Sequence, residues 1–450
     1  MRHAAAIRTS VDARVPRALN LGGVEPVEKF SVEELNLSDL EFWALPHEVR
    51  EGAFRTLRRE RPIAYFDLPE IAIPGMDPQV GGVYVLSKYR DIVDASRQPE
   101  IFCSGRGATS VFDMPMEMRE YFGSMIEMDD PKHKRLRDIV SKAFTVRQVR
   151  QIEEYIDRAA REIIDTIGPK GEVDFVTECA ARLPLKVICD MMGVPESQYD
   201  FVFNSSNTIL GLGDPEYTED MENPMPQLMA AAIALSQLAT ELAAKRAKEP
   251  TDDLMTALVH AEVDGQKLAH HELGSFFILL LVAGNETTRN AISWGLKALT
   301  ENPDQRRIWM EDFEGVQRSA VEEIVRYASP VMFMRRTVTR DGATLSGHEF
   351  KEGDKLLLYY ISGNRDEDVF EEPYRFDVRR EPNNHVAFGG PGPHFCLGAN
   401  LARQEIKVMF SDLFRFLPDI EMSGEPAHLA SNFINGIKHL PARFTPRKAA

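Results

Sequence analysis

The stretch FGGPGPHFCLGANLAR, Phe388 to Arg403, decides how this chain is read. Gly, Pro and Phe dominate its first half, a composition too irregular for helix or strand, and its second half runs into a helical pattern. Ala402, Ile406, Met409, Leu413 and Leu417 recur at spacings of three and four, which is one apolar face of an α-helix. Cys396 therefore stands at a loop-to-helix junction, where free backbone N–H groups and the positive end of the helix dipole favour thiolate over thiol. Gly398 has no Cβ, so a flat, bulky partner can approach the backbone, while Pro391 and Pro393 stiffen the loop and remove N–H donors. A thiolate held in this way can serve as a nucleophile, a zinc ligand or a haem ligand. Zinc asks for about four N or S ligands, and only His394 and His385 lie close in sequence. Taken alone, the cysteine reads most simply as a buried, inert one.

With 450 residues and no Gly/Ser linker, low-complexity tract or internal repeat, the chain is expected to form one large domain. Hydrophobic residues make up 43% and charged residues 27%, enough for a sizeable core in a globular protein. A formal charge of −17 argues against nucleic acid or an anionic membrane as a general partner. The cysteines Cys103, Cys179, Cys189 and Cys396 form no CxxC pair or disulfide framework, which fits a reducing cytoplasm. The N-terminus carries arginines without an apolar core of signal-peptide length, and residues 1–37 are expected to be a partly disordered extension ahead of a domain at 38–446. The longest uninterrupted apolar run, Phe276 to Ala283, is too short to span a bilayer, so no transmembrane segment is expected.

Periodicity predicts a mainly helical chain with a minor β region. A helix over Leu45 to Arg59 precedes two strands, Ile63 to Phe66 and Gly82 to Leu86, and a short helix over Lys88 to Ser96. Phe102 to Met125 has no clear period; a loop that long either closes the core or carries function. Asp129, Asp130 and Pro131 then open a helix on which His133 and Arg137 share a face, placed to grip two carboxylates or simply to lie in solvent. Lys132, Lys134, Arg135, Lys142, Arg147 and Arg150 crowd the same stretch and form a local basic patch in an acidic protein. Helices follow over Val149 to Gly168 and Leu183 to Met192, then a pair over Phe201 to Gly213 and Met225 to Ala247, with Thr251, Asp252 and Asp253 capping the next.

His271 to Leu299 reads as a long buried helix of roughly 40 Å. It is interrupted at Ala283-Gly284-Asn285-Glu286-Thr287-Thr288 by an acid and hydroxyls that are costly to bury without a purpose. The Thr287 hydroxyl is placed to bond the Ala283 carbonyl, and Gly284 leaves room for a small ligand. Glu323 and Arg326 form an E-x-x-R helix pair, by itself a common surface pair. Ser329 and Pro330 end that helix, Val331 to Met334 makes an apolar turn, and a strand is expected over Lys355 to Tyr360.

The pattern F-G-G-x-G-x-H-x-C-x-G before a helix resembles the haem-thiolate loop of the cytochromes P-450, and the other motifs fall in that family's order. The resemblance implies a single-domain cytochrome P-450 fold, mainly α with a minor β region. In this triangular prism haem b lies between the long central helix and the helix after the cysteine loop. Cys396 becomes the axial ligand of the haem iron, with Phe388 and Gly398 in the loop around it. The loop phenylalanine usually stands one residue later, where Gly389 is found, a variant similar to the bacterial sterol and lipid hydroxylases of the family. By the same resemblance His133, Arg137, Arg336 and His394 contact the haem carboxylates, and Ala283 and Gly284 belong to the oxygen-binding groove. Thr287 becomes the proton-delivering alcohol and Glu286 its acidic partner. Glu323 and Arg326 become a structural brace behind the loop, joined by Arg380 or Arg379; the helix pair becomes a mobile lid, and the basic stretch a docking patch for ferredoxin.

Nearly the full chain resembles the mycobacterial-type members that hydroxylate the terminal carbon of methyl-branched lipids, cousins of the cholesterol side-chain hydroxylases. The implied activity is that of a cytoplasmic haem-thiolate monooxygenase, drawing electrons from NAD(P)H through a reductase and a ferredoxin and inserting one oxygen atom of O2 into an unactivated C–H bond. Leu279, Leu280, Ala283, Val331, Met334 and Phe433 are expected to line a long apolar pocket. Such a pocket suits methyl-branched fatty acids or isoprenoids, with a sterol side chain as runner-up. A haem-based gas sensor and a peroxide-driven oxygenase are the alternatives, and the acid and alcohol in the central helix argue against both.

Overall fold

The computed structural model describes residues 25–69, 81–143, 146–221 and 223–447. Its axis is the helix His270–Glu301, which matches the long helix expected from the sequence and exceeds it by a residue or two at each end. This central helix is apolar on most sides because it is surrounded: Arg182–Met192, Tyr199–Leu210, Met225–Lys248, Phe313–Ala328 and Ala399–Phe416 all pack on it. Phe276, Phe277, Ile278, Leu281, Ile292, Trp294, Leu296 and Leu299 are buried along its length. Each such side chain contributes about 1.5–3 kcal/mol when fully buried. At its start Glu272 accepts the Ala269 N–H at 2.8 Å. Asp253 caps the short helix Leu254–His260 by accepting the Thr256 N–H at 2.8 Å.

Met225–Lys248 is, among the described residues, the one helix long and apolar enough by length and composition to cross a membrane. It buries Leu228, Ala232, Leu235, Ala239 and Leu242 as a stripe at helical spacing, and that stripe packs within the protein.

A five-stranded sheet forms the β region, in the order Ile63–Asp67, Gly82–Leu86, Lys355–Tyr359, Phe333–Val338, Phe102–Cys103. Only the Gly82–Leu86 and Lys355–Tyr359 pair is parallel. The apolar turn expected over Val331 to Met334 is corrected: Val331 makes an isolated bridge to Ile434, and a strand begins at Phe333, paired with Tyr359. Alternation on that strand turns Phe333 toward Trp43, Phe54 and Tyr359, and Met334 toward the cluster of Leu86, Ile92 and Tyr360. Arg336 shares the face of Met334.

Phe102 to Met125, aperiodic in sequence, contains a helix over Met116–Gly123 and a tight turn over Ser124–Glu127. Ahead of that helix, side chains satisfy the backbone where no ladder does. Arg335 donates to the carbonyls of Arg106 (3.1 Å) and Phe112 (3.3 Å), and Glu127 accepts the N–H groups of Ala108 and Thr109, both at 2.7 Å. Of the expected N-terminal extension, 1–24 lie outside the described residues. Further on, Val27 donates to the Glu48 carbonyl at 2.9 Å, and Val32, Leu35 and Leu37 are buried beside Phe54.

Candidate active site

The cysteine loop owes its path to missing side chains. A Cβ on Gly390 would stand 2.4 Å from Ser96 Oγ, and one on Gly392 2.4 Å from the Ser96 carbonyl, so the loop lies flush against the helix Tyr89–Ser96. Cys396 N–H donates to the Phe388 carbonyl at 2.9 Å and closes the loop, after which Gly398 leads into the helix Ala399–Phe416. Phe395, Cys396, Leu397 and Gly398 are all exposed, and a Cβ on Gly398 would meet nothing within 4 Å. The loop thus leaves its backbone and thiol reachable, with protein crowding around the sulfur. Burial raises the Cys396 pKa, while the Gly398 N–H, Arg137 and Arg403 work to lower it without prevailing. The Gly398 N–H pulls in the direction expected of a helix start, and desolvation opposes it. Among the described residues no group of three or more His, Cys, Asp or Glu is arranged to hold a metal ion.

The four residues expected to bind carboxylates come together. The rings of His133 and His394 lie 4.3 Å apart, and Arg137 donates to the Phe395 carbonyl at 2.7 Å. Arg336, buried on its strand, donates to the Arg335 carbonyl at 2.7 Å. His394 is pushed down to about 2, first by burial and then by Arg336, His133 and Arg137. Buried His133 Nε2 has no hydrogen-bond partner. Among the described residues no carboxylate forms an ion pair with Arg137, Arg336 or His394. Two guanidinium groups with no carboxylate partner among the described residues, beside two histidines, ask for an anion.

Above the loop, Leu279, Leu280, Ala283, Gly284 and Thr287 are half-exposed on a helix whose other residues nearby are buried. One stripe of the central helix is thus left open. Thr287 Oγ1 donates to the Ala283 carbonyl at 2.7 Å, as its position predicts. A Cβ on Gly284 would lie 2.2 Å from Ile188 Cδ1, so the glycine also lets a neighbouring helix come close on that side. Glu286 makes no hydrogen bond to Thr287 in this structure. Its buried carboxylate accepts from Arg289 and, at 3.2 Å, from Asn290; Arg289 also reaches Asn207 Oδ1 at 2.8 Å on the helix Tyr199–Leu210. Burying one carboxylate next to one guanidinium is cheaper than leaving it beside a lone hydroxyl, and that decides where it points. Val331 and Phe433 are half-exposed near each other, Met332 N–H donating to the Phe433 carbonyl at 2.8 Å.

Behind the loop, Glu323 accepts Arg326 Nε at 2.7 Å, Arg380 Nε at 3.1 Å, the Asp377 N–H at 2.9 Å and Asn383 Nδ2 at 3.1 Å. Arg326 also donates to the carbonyls of Asn364 and Pro373, both at 2.8 Å. The third member is Arg380, not Arg379. A second brace went unforeseen. Glu322 accepts from Arg403 and, at 2.8 Å, from His385; against the desolvation that would raise it, these two hold its carboxyl down to about 2. The Arg403 guanidinium lies 4.5 Å from the centre of the Phe388 ring, so that ring is pinned from the side of the brace. The signals were the Glu322-Glu323 doublet and the arginine that closes the loop motif.

The sequence model of the cytochrome P450 family matches residues 75–418. This chain belongs to the cytochrome P450 family. The P450 is 48% identical, over 95% of its length and 98% of the relative's, to a methyl-branched lipid omega-hydroxylase of Mycobacterium tuberculosis (strain ATCC 25618 / H37Rv). It is 38% identical to a steroid C26-monooxygenase of Mycolicibacterium smegmatis, over 86% of this chain and 89% of that one. A solved structure of a Mycobacterium marinum cytochrome P450 in complex with pseudoionone superposes with a TM-score of 0.86 at 43% identity, covering 91% of this chain and 98% of that chain. The P450 is a monooxygenase with the mainly helical fold and small sheets of its family.

The basic patch of this P450 is less free than its sequence suggested. Lys132 pairs with Glu120 at 2.6 Å, Lys134 with Asp138, and Arg135 with Glu272 at the start of the central helix. Asp138 lies one turn along the same helix, whereas Glu120 and Glu272 come from other elements, which a local reading cannot foresee. The Arg147 side chain lies outside the described residues.

Proposed function

We propose that this P450 hydroxylates the terminal carbon of methyl-branched fatty acids or isoprenoids, using electrons from NAD(P)H passed through a reductase and a ferredoxin. The observation that carries this reading is the near full-length 48% identity to a methyl-branched lipid omega-hydroxylase, together with the open hydrocarbon stripe of Leu279, Leu280 and Ala283 beside Thr287. The exposed thiol, the open space over Gly398 and the uncompensated cations fit haem b. His133, Arg137, Arg336 and His394 would hold its two carboxylates and Cys396 its iron. When bound, haem supplies the activation of O2.

The chain's own residues would do the rest. Cys396 would give up its thiol proton on ligation, since a bound cation reverses the effect of burial. Thr287, on leaving the Ala283 carbonyl, would hold and pass protons at its Oγ1. Glu286 engages Arg289 and Asn290 through Oε1 alone, and its buried, unpartnered Oε2 would hold a proton as a reserve behind Thr287. Leu279, Leu280, Ala283, Val331 and Phe433 would exclude water and bind hydrocarbon at about 0.8 kcal/mol per methylene. Terminal attack needs more than affinity, because internal C–H bonds are weaker: the chain end must be gripped, and a methyl branch offers the grip. Met334 would belong to the wall nearest Arg336. An acidic ferredoxin would approach the face around Lys132 and Lys134.

The test is to supply matched straight and branched long-chain acids with a ferredoxin system and locate the hydroxyl by mass spectrometry. Terminal products with a preference for the branch are expected; mainly mid-chain products would overturn the reading. The 38% identity to a steroid C26-monooxygenase favours, as second reading, a sterol side chain ending in the same branched shape.

A further inference from the structure

The loop between the covering helices Tyr199–Leu210 and Met225–Lys248 is tied down by a charge network remote from the cysteine. Asp214, fully buried, accepts the Ala430 N–H and Lys438 Nζ, each at 2.9 Å. These two donors stand on opposite legs of the turn whose tip is Phe433 and Ile434. Lys438 also reaches Glu216 at 2.9 Å, and Glu216 accepts His439 Nε2 at 2.9 Å. His439 Nδ1 meets Asp174 on the strand Glu172–Asp174. Two residues before His439, the Ile437 N–H donates to Asn290 Oδ1 on the central helix at 3.0 Å. Both helices pack on the central helix that carries the open stripe, and the loop between them is fastened to the Phe433–Ile434 turn.

We propose that Lys438 and His439, gripping Asp214 and Glu216, form a latch that makes the covering loop and the Phe433–Ile434 turn move as one unit, so that substrate release requires breaking it. This rests on reading that turn as a wall of the substrate cavity. The inner pair, Asp214 with Lys438, is shielded from solvent and carries most of the strength; the outer Glu216–His439–Asp174 triad is partly exposed and adjusts it. His439 faces Asp174, Glu216 and the neighbouring Lys438, while the paired strand presents Ala427. Hydrogen bonding to Asp174 raises its pKa against burial, with Glu216 adding to the rise, and Asp174, Asp214 and Glu216 are all lowered. The sign follows: the outer half of the latch is fully charged below His439's ordinary value and is lost as pH rises through its raised one.

Hydrogen exchange of residues 211–221 in the full-length protein, and stopped-flow release of 15-methylhexadecanoic acid from the haem-loaded protein, test this across pH 5.5 to 9. Lys438→Met is expected to speed release by about tenfold or more and to raise exchange in the loop, with Lys438→Arg restoring both. His439→Gln is expected to have a smaller effect and to abolish the rise in release rate with pH. Faster exchange with unchanged release in Lys438→Met, or a pH step that survives in His439→Gln, would overturn the latch. Failure of the wild-type protein to bind any branched acid would instead sink the substrate reading, and unchanged loop exchange in Lys438→Met would sink the latch independently of it.

Discussion

Replacing Glu322 by Gln isolates the brace beneath the cysteine loop. The substitution keeps the shape and one acceptor oxygen but removes the charge that His385 and Arg403 surround. Glu322 is held at about 2 against an ordinary value of 4.5, a gap that corresponds to about 3 kcal/mol at 1.36 kcal/mol per tenfold. With the Glu322 side chain 21% exposed, solvent screening trims this to about 2–3 kcal/mol. The sign is that of a depressed acid: the stabilisation is complete above about pH 4.5 and disappears as pH falls toward 2. Urea unfolding of wild type and Glu322→Gln, followed from pH 7 down to about pH 3.5, should show a constant deficit of about 2–3 kcal/mol down to pH 5 and a shrinking one below. Because Arg403 then loses its anchor over the Phe388 ring, the loop should also exchange amide protons faster. A deficit under about 0.5 kcal/mol at pH 7, the range of ordinary surface changes, or one that does not shrink in acid, would refute the reasoning.

Thr287→Ala should leave haem and substrate binding intact while product formed per NAD(P)H falls about tenfold or more and peroxide rises, since the only hydroxyl on the open stripe is gone. Arg336→Leu removes a buried cation that has no carboxylate partner among the described residues; haemin titration of the apoprotein should weaken by about tenfold or more. Electron transfer from an acidic ferredoxin should slow as salt is added, and charge reversal at Lys132 and Lys134 should slow it further. Because Glu120 and Asp138 already neutralise those lysines in part, the loss should be several-fold; a rate indifferent to both would remove this face from docking.

What could be read from sequence was whatever rests on spacing along one element. The helix after Cys396, the long central helix, the Thr287 bond to Ala283 and the Glu323–Arg326 pair are of this kind. What escaped depends on which elements meet. Ile188 comes close to Gly284 from another helix, and Asn207 of a third helix holds Arg289, the partner of Glu286. Arg335 stands beside Arg336, yet strand alternation sends the first into the carbonyls of the Arg106–Phe112 stretch and the second toward His394. The partners of the basic helix, Glu120 and Glu272, lie 12 and 137 residues from the lysine and arginine they neutralise. No local pattern announces contacts of that range.

The central claim is that the loop around Cys396 and the cations beside it form a haem-thiolate site. The absorption spectrum of the reduced protein under carbon monoxide tests it most directly. Wild-type protein should show the red-shifted band of a thiolate-ligated haem, and Cys396→Ala should lose that band while haemin still binds through the cation cluster. Retention of the red-shifted band in Cys396→Ala would contradict the account.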